Sequence, residues 1–170
     1  MRRLMLLRHA KSDWPDGADD HERGLAARGR RVSPLMGRYM ADNGLVPDLA
    51  IVSTALRARE TWDLVRTAFL GEIDQRLEPR IYEASAGEIL DVVRETGSEV
   101  ETLLLVGHNP GLQNLALDLI GTANQPDLVR LQGKYPTAGL VVIDFDIQHW
   151  SEVSRRTGRL DRFETPRSLS

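Results

Sequence analysis

The sequence predicts one α/β domain with three layers, in which helices flank both faces of a mainly parallel central sheet. Short, continuous apolar runs typical of buried strands alternate along the chain with stretches of helical periodicity. The chain has 170 residues, which suits a single domain, and it contains no linker or internal repeat. We therefore expect one domain over residues 1–170, with only the last few residues, from Thr165, frayed.

The first half of the chain predicts two strands, each followed by a helix. Residues 4–7 and 49–52 are short apolar runs that end in polar residues, as buried strands do. Apolar residues at helical spacing follow over residues 25–43, and Gly44 supplies a stop. A second helical stretch follows the second strand and reaches about Leu70.

The second half continues the alternation. Ser85 and Glu88 form a capping-box pattern, in which the two residues cap backbone N–H groups at a helix start. The elements expected here are a short strand at 80–82, a helix from the capping box to Gly97, a strand at 103–106, a helix from Asn109 to about Ile120, a strand at 140–145 and a short edge strand at 160–163.

Composition and charge exclude several classes of protein and site. A net charge of −3 leaves no general basic excess for a nucleic-acid backbone. The absence of cysteine excludes disulfides, thiolate nucleophiles and cysteine-ligated metals. The apolar run at 4–7 is too short for a signal-peptide core, and no span approaches membrane length. We expect no nucleic-acid partner, no membrane association and, by default, a cytoplasmic location.

Histidines and arginines follow three of the predicted strands. Arg8 and His9 end the first strand, Arg57 lies one turn into the helix after the second, and His108 follows the strand at 103–106. Ligands of open α/β sheets gather at the carboxyl ends of the strands, so these side chains converge if the strands are neighbours. Guanidinium groups bind anions, and imidazole serves as nucleophile, acid, base or metal ligand. The anion they suit best is a phosphoryl group.

A metal site is the competing interpretation, and either histidine alone would more often be a half-buried structural residue. The chain has neither an H-E-x-x-H nor a D-x-D stretch, and the arginines would repel a cation. The glycine-rich loops that bind nucleotides are also missing. We therefore expect no metal and no cofactor.

Three segments together resemble the histidine phosphatase superfamily, also called phosphoglycerate mutase-like. L-R-H-A-K at 7–11 resembles its R-H-G signature, S-T-A-L-R-A-R-E-T at 53–61 its second arginine segment, and V-G-H-N-P-G at 106–111 its second histidine segment. Further segments resemble the small SixA-like phosphohistidine phosphatase branch, namely 23–31, 82–85, 136–139 and 158–169. The resemblance covers nearly the whole chain and implies a phosphoglycerate mutase-like fold without a large lid insertion.

The resemblance implies a role for each matching residue. His9 would be the nucleophile that forms a phosphohistidine intermediate, and Arg8, Arg57 and His108 would bind the phosphoryl oxygens. Glu83 occupies the place where larger members carry the proton donor. The alternative for Glu83 is an exposed acid ahead of a helix N-terminus, where its charge is favourable in any case.

Other residues depart from the family pattern or match it weakly. Ala10 stands where the superfamily usually has glycine. Arg23 either faces the phosphate pocket or, as a member of a charged stretch, is a solvated loop residue, which is the more common outcome. His21 and His149 match no motif, and we assign them no role.

The expected function is that of a phosphatase without metal or cofactor, acting through a covalent phosphohistidine intermediate on phosphohistidine in proteins. The twenty residues between Trp62 and Glu83 leave little room for a lid, so the site is expected to be open. The partner would be a phosphorylated protein or a small phosphorylated metabolite. The alternatives are a small-molecule phosphomonoesterase and a non-catalytic module that binds phosphorylated partners.

Overall fold

The computed structural model describes residues 1–169, and within them it contains a seven-stranded mixed sheet and five α-helices. The strands are β1 (Arg2–Arg8), β2 (Leu49–Ser53), β3 (Asp74–Glu78), β4 (Thr102–Gly107), β5 (Ile120–Thr122), β6 (Leu140–Phe145) and β7 (Gly158–Glu164). The helices are α1 (Ala27–Asp42), α2 (Leu56–Val65), α3 (Ala86–Arg94), α4 (Gly111–Leu119) and α5 (Gln125–Gly133).

The strand order is β3-β2-β4-β1-β6-β7-β5. The first four strands in this order run parallel to one another, β6 is antiparallel to both β1 and β7, and β7 is parallel to β5. The prediction of a mainly parallel sheet between helical layers is therefore confirmed. Because β2, β4 and β1 are adjacent and parallel, their carboxyl ends meet at one edge of the sheet.

Successive residues of β1 are buried on opposite faces of the sheet. Leu4 and Leu6 pack in the core beneath α3, α4 and α5, whereas Met5 and Leu7 pack against α1 and α2. All four side chains are fully buried. A strand covered on both faces needs apolar residues at every position, which explains the continuous apolar run. Full burial of one such side chain stabilises the fold by about 1.5–3 kcal/mol.

Several sequence-based assignments were wrong. The segment Pro79–Ile81 is a 3₁₀ turn, and the third strand lies just before it, at β3. Only Glu78 of β3 is buried, so this edge strand has no apolar pattern to mark it. Helix α5 and the short strand β5 were missed, and α5 has a single buried residue, Leu131. Strand β7 was expected at the sheet edge, but β5 pairs with its outer side.

The expectation of a frayed end from Thr165 is also wrong for the residues that the structure describes. Thr165 is buried, and Pro166–Leu169 form a 3₁₀ turn that packs near α1. Ser170 lies outside the described residues. Among the helices described, none has the length and apolar character required to cross a membrane.

Candidate active site

The ends of three adjacent strands bring the predicted histidines and arginines together. Arg8 is the last residue of β1 and pairs in register with Gly107, the last residue of β4, so His9 and His108 follow at the same level. Their ring centroids are 5.2 Å apart. Both rings are buried, and so is Arg57 in the first turn of α2. These four side chains therefore form one cluster at the carboxyl edge of the sheet.

One backbone hydrogen bond fixes the state of the His9 ring. Its Nδ1 lies 2.8 Å from the carbonyl oxygen of Ala10. A carbonyl oxygen only accepts, so Nδ1 carries the hydrogen and Nε2 keeps its lone pair. Burial, together with the charges of Arg57 and Arg8, lowers the pKa of His9 to about 3. The imidazole is therefore neutral at physiological pH, as a nucleophile must be.

A hydroxyl group orients the second histidine. The Nε2 atom of His108 lies 2.7 Å from Oγ of Ser53, and this Oγ accepts a hydrogen bond from the N–H of Ala55. We assign the hydroxyl proton of Ser53 to the contact with Nε2, which places the ring hydrogen on Nδ1, the nitrogen without a protein acceptor. Burial, followed by the charge of Arg57, lowers the pKa of His108 to about 4. His108 is therefore a neutral hydrogen-bond donor.

The two arginines are held by acceptors at the tips of their side chains. Arg57 donates from Nη1 to the carbonyl oxygen of Asp20 at 2.8 Å and from Nη2 to Oδ2 of Asp20 at 3.2 Å. Arg8 donates from Nη1 to the carbonyl oxygen of Tyr135 at 2.9 Å. These bonds anchor each guanidinium group through its Nη atoms and leave its Nε–H without a protein acceptor.

Three buried donors in this cluster lack a protein acceptor. Among the described residues, four buried side-chain nitrogen or oxygen atoms have no hydrogen-bond partner. Three of the four lie in this cluster, namely Nε of Arg8, Nε of Arg57 and Nδ1 of His108. Buried polar groups in proteins are nearly always paired, so three unpaired donors around one histidine require an explanation. An anion with several oxygens would satisfy all three.

Asp20 is a site residue that the sequence analysis missed. Its Oδ2 accepts hydrogen bonds from the hydroxyl of Tyr82 at 2.5 Å and from Arg57, and its Oδ1 accepts one from Arg23 at 3.1 Å. The bond from Tyr82, with the two arginines, lowers the pKa of Asp20 to about 2. Asp20 is therefore ionised and links Arg57 to Tyr82. It lies in a charged stretch that matches no motif, so the sequence offered no signal.

Arg23 is buried, which corrects the interpretation of a solvated loop residue. Besides Asp20, its guanidinium binds Oγ of Ser12 at 2.8 Å and the carbonyl oxygen of Asp13 at 2.9 Å, and it lies 3.4 Å from the ring centroid of Trp14. Only 5% of Arg23 is exposed. Through these contacts Arg23 holds the loop that carries Asp20.

Glu83 lies at the rim of the site. It is exposed and has a left-handed backbone, with φ of 52°, a conformation that residues other than glycine adopt at some energetic cost. Burial and hydrogen bonds with Asp20 and Glu83 raise the pKa of Tyr82, whose ring centroid is 5.5 Å from that of His108. Tyr82 thus connects Glu83 to the buried cluster.

His21, to which the sequence analysis assigned no role, also contacts this rim. Its ring packs edge-on against Tyr82 with centroids 4.8 Å apart, and its Nε2 lies 2.8 Å from Oγ1 of Thr54. His149, by contrast, forms its hydrogen bond with Ser98, away from the cluster. Among residues 1–169, no group of three or more histidine or acidic side chains could hold a metal ion.

Comparison with known sequences gives one family match and several relatives. The model for histidine phosphatase superfamily (branch 1) matches residues 4–99, more than half of the chain. Uncharacterized protein Rv1276c from Mycobacterium tuberculosis is 37% identical over 163 residues, covering 95% of this chain and all of the relative. Uncharacterized protein ML1117 from Mycobacterium leprae is 33% identical over 166 residues, with 95% of this chain covered.

Comparison with solved structures points to the same family. A protein from Agrobacterium tumefaciens assigned as the phosphohistidine phosphatase SixA superposes with a TM-score of 0.82 at 33% identity, covering 97% of this chain and 98% of that one. The protein histidine phosphatase SixA complexed with tungstate superposes with a TM-score of 0.79 at 19% identity, which shows a shared fold. The fold and these matches support a phosphatase activity, and the chain belongs to the histidine phosphatase superfamily.

Proposed function

We propose that this chain hydrolyses phosphohistidine in proteins through a covalent phosphohistidine intermediate on His9, without a metal ion. The observation that carries the proposal is the set of three unpaired buried donors around a neutral histidine, namely Nε of Arg8, Nε of Arg57 and Nδ1 of His108. Three donors suit the three non-bridging oxygens of a phosphoryl group. The nucleophile and the phosphate-binding groups would then occupy one cluster.

The chemistry follows from the protonation states. The lone pair on Nε2 of His9 attacks phosphorus, the bond from phosphorus to the leaving group breaks in line, and the leaving imidazole takes a proton. A water molecule then attacks the phosphorus on His9 and releases a proton to solvent, the P–Nε2 bond breaks with its electron pair returning to Nε2, and inorganic phosphate leaves. The arginines and His108 stabilise the charge on the phosphoryl oxygens throughout, which in phosphoryl transfer provides most of the rate.

Asp20 positions the site for this reaction. Its ionised carboxylate accepts hydrogen bonds from Arg57 and Tyr82, and Arg23 holds the other oxygen. A carboxylate with a pKa of about 2 carries no proton near neutral pH, so Asp20 is not a proton donor in this state. We propose that Asp20 holds the Arg57 guanidinium group in position.

The open site and the leaving group favour a phosphorylated protein as substrate. An exposed rim admits a side chain presented on another protein, and imidazole departs with a proton taken from solvent. The similar protein from Agrobacterium tumefaciens is assigned to phosphohistidine phosphatases and covers nearly the whole chain at 33% identity. Mutase activity is less favoured, because reorienting a bound intermediate benefits from enclosure.

A small-molecule phosphomonoesterase is the second candidate, and Glu83 favours it. An alkyl phosphate needs a proton on its leaving oxygen, and an exposed carboxyl beside Tyr82 could deliver one. A non-catalytic binding module is less favoured, because binding an anion does not require a neutral histidine with a free lone pair.

Turnover by wild type and His9→Ala tests the proposal. We expect wild type to hydrolyse p-nitrophenyl phosphate and a phosphohistidine peptide after exhaustive chelation of divalent metals, and His9→Ala to lose at least about a thousandfold in kcat. His149→Ala, which removes a histidine outside the cluster, should keep full activity and serves as the control. Equal turnover by wild type and His9→Ala, or activity that returns only when a divalent ion is added, would reject the proposed mechanism.

A further inference from the structure

A cavity that contains neither His9 nor His108 in its lining lies beside Arg8. It has a volume of about 510 Å³. Its lining includes residues of the loop that precedes β6, such as Pro136 and Thr137, and Thr165, which follows β7. The cavity shares Arg8 with the histidine cluster, and its lining from the loop before β6 lies beside the neighbour of β1 on the side away from β4, which His108 follows.

The cavity is lined by five cationic side chains from four parts of the chain, and its lining contains no carboxylate side chain. The cationic residues are Arg8, Lys11, Arg28, Lys134 and Arg167. The chain as a whole carries a net charge of −3, so this concentration of positive charge is local. We call this cavity, defined by these five residues, the basic subsite.

Three of these cations are available to a ligand. Lys11, Arg28 and Lys134 are exposed, and their side chains form no ion pair or hydrogen bond with the part of the chain that the structure describes. Cations clustered in this way repel one another, and an anion would relieve that repulsion. The basic subsite therefore has the charge and the space to bind an anionic group next to the phosphoryl site.

The basic subsite continues into a second, more apolar cavity. This neighbouring groove has a volume of about 540 Å³ and shares Arg28, Val32, Pro166 and Arg167 with the subsite. It runs along α1, where its lining includes Leu35, Met36 and Tyr39. The groove is also lined by Arg38 and Asp42, so a ligand that fills both cavities would present an anionic group near the phosphoryl group and both apolar and polar groups further away, as successive side chains of a polypeptide do.

We propose that the basic subsite binds an acidic side chain of the polypeptide substrate, carried next to the phosphorylated residue. This inference rests on the proposed function and adds a preference for acidic sequence around the phosphorylation site. The subsite would act on binding, because it holds the substrate equally before and during phosphoryl transfer. Its effect is thus expected in KM, with kcat unchanged.

Two phosphohistidine peptides that differ only in flanking residues test the inference. One carries aspartate and glutamate beside the phosphohistidine, and the other carries asparagine and glutamine. We expect wild type to prefer the acidic peptide in kcat/KM by about three- to tenfold, the effect of a few solvent-exposed charge pairs. Raising the salt concentration should reduce this preference.

Matched charge variants assign the preference to the subsite. In Arg28→Gln/Lys134→Gln the KM for the acidic peptide should rise to that of the neutral peptide, while kcat for p-nitrophenyl phosphate stays unchanged. Arg155→Gln removes an exposed cation that precedes β7, at the opposite edge of the sheet, and should keep the preference. An equal response to both peptides in wild type, or a preference that survives in the double variant, would overturn the inference.

Two further measurements separate this inference from the proposed function. The affinity of His9→Ala for the two peptides is measured by fluorescence anisotropy. Tighter binding of the acidic peptide would show that the basic subsite binds acidic side chains, even if the wild-type chain turns over neither peptide. Absence of turnover of p-nitrophenyl phosphate would count against the proposed function alone. If a small phosphate ester with a second anionic group shows the Arg28- and Lys134-dependent preference and the peptides do not, the polypeptide assignment is wrong.

Discussion

In the proposed mechanism His9 reacts through Nε2, because its other ring nitrogen, Nδ1, donates a hydrogen bond to the backbone. The bond from Nδ1 to the Ala10 carbonyl needs only the main chain, so alanine at position 10 provides it as well as glycine would. Burial keeps both His9 and His108 neutral without a neighbouring base. The proposed nucleophile, His9, thus needs no activation step at neutral pH.

These two buried histidines make stability depend on pH. Each has an ordinary pKa near 6.5 in the unfolded chain and a lowered pKa, about 3 or about 4, in the folded chain. The unfolded state therefore binds more protons as the pH falls below 6.5, and the folded state loses stability until the folded pKa is reached.

We expect the free energy of unfolding to fall by about 1.4 kcal/mol per pH unit for each histidine between pH 6 and pH 4.5. His9→Gln should remove about half of this slope. Urea unfolding of wild type and His9→Gln at pH 7, 6 and 5 measures how the free energy of unfolding changes with pH. Identical slopes for the two proteins would show that His9 is not held neutral by burial.

Glu83→Gln distinguishes the two candidate substrates. If Glu83 is the proton donor, its loss should reduce turnover of alkyl phosphates by about a hundred- to ten-thousandfold near pH 6. Turnover of p-nitrophenyl phosphate or a phosphohistidine peptide should change far less, since these leaving groups need no acid from the protein. An equal fall for all three substrates would assign Glu83 to positioning, and no fall would leave it without a catalytic role.

At the scale of the elements, burial on both faces decides what the sequence can predict. Strands β1, β4 and β6 were predicted because each contains a continuous run of four apolar residues, at 4–7, 103–106 and 140–143, and the predictions of these three strands are confirmed. Strand β3 and helix α5 were not predicted, because each buries only one residue and therefore has no apolar pattern. Their positions depend on pairing and packing with distant segments, which no local pattern records.

The same contrast applies to the site. His9, Arg57 and His108 stand directly after strands or at a helix start, so local sequence indicates their common location. Asp20 and Tyr82 are separated by 62 positions and meet only because the loop before α1 folds over the start of α2. No spacing in the sequence indicates such a contact.

Helix α1 is fixed to the loop after His9 by a glycine contact. A Cβ atom on Gly29 would lie 2.2 Å from the carbonyl oxygen of Lys11, so the helix approaches this loop closely only because no side chain intervenes. Backbone cannot easily yield at such a contact, and a larger residue must shift either the helix or the loop.

Gly29→Ala should therefore destabilise the chain by about 1–3 kcal/mol and reduce kcat/KM by displacing the segment after His9. Gly133→Ala, at the end of α5 where a Cβ would meet no atom within 4 Å, is the matched control and should change stability by less than about 1 kcal/mol. Urea unfolding and p-nitrophenyl phosphate turnover measure both effects. Wild-type stability and activity in Gly29→Ala would contradict this close packing.

At the scale of the whole molecule, β1 divides the sheet into halves with separate roles. The parallel half, with β4 and β2, places the histidine cluster at its carboxyl edge. On the side of the antiparallel neighbour β6, the loop before β6 and the C-terminal turn after β7 line the basic subsite. One strand end, at Arg8, thus joins the proposed phosphoryl site to the proposed site for the rest of the substrate.

The most direct test of the account is the identity of the covalent intermediate. Wild-type protein is mixed with ³²P-labelled substrate, quenched within milliseconds and analysed for protein-bound phosphate. We expect label on His9 that is labile to acid and stable to base, and no label in His9→Ala. Label on a serine or an aspartate, or label that persists in His9→Ala, would contradict it.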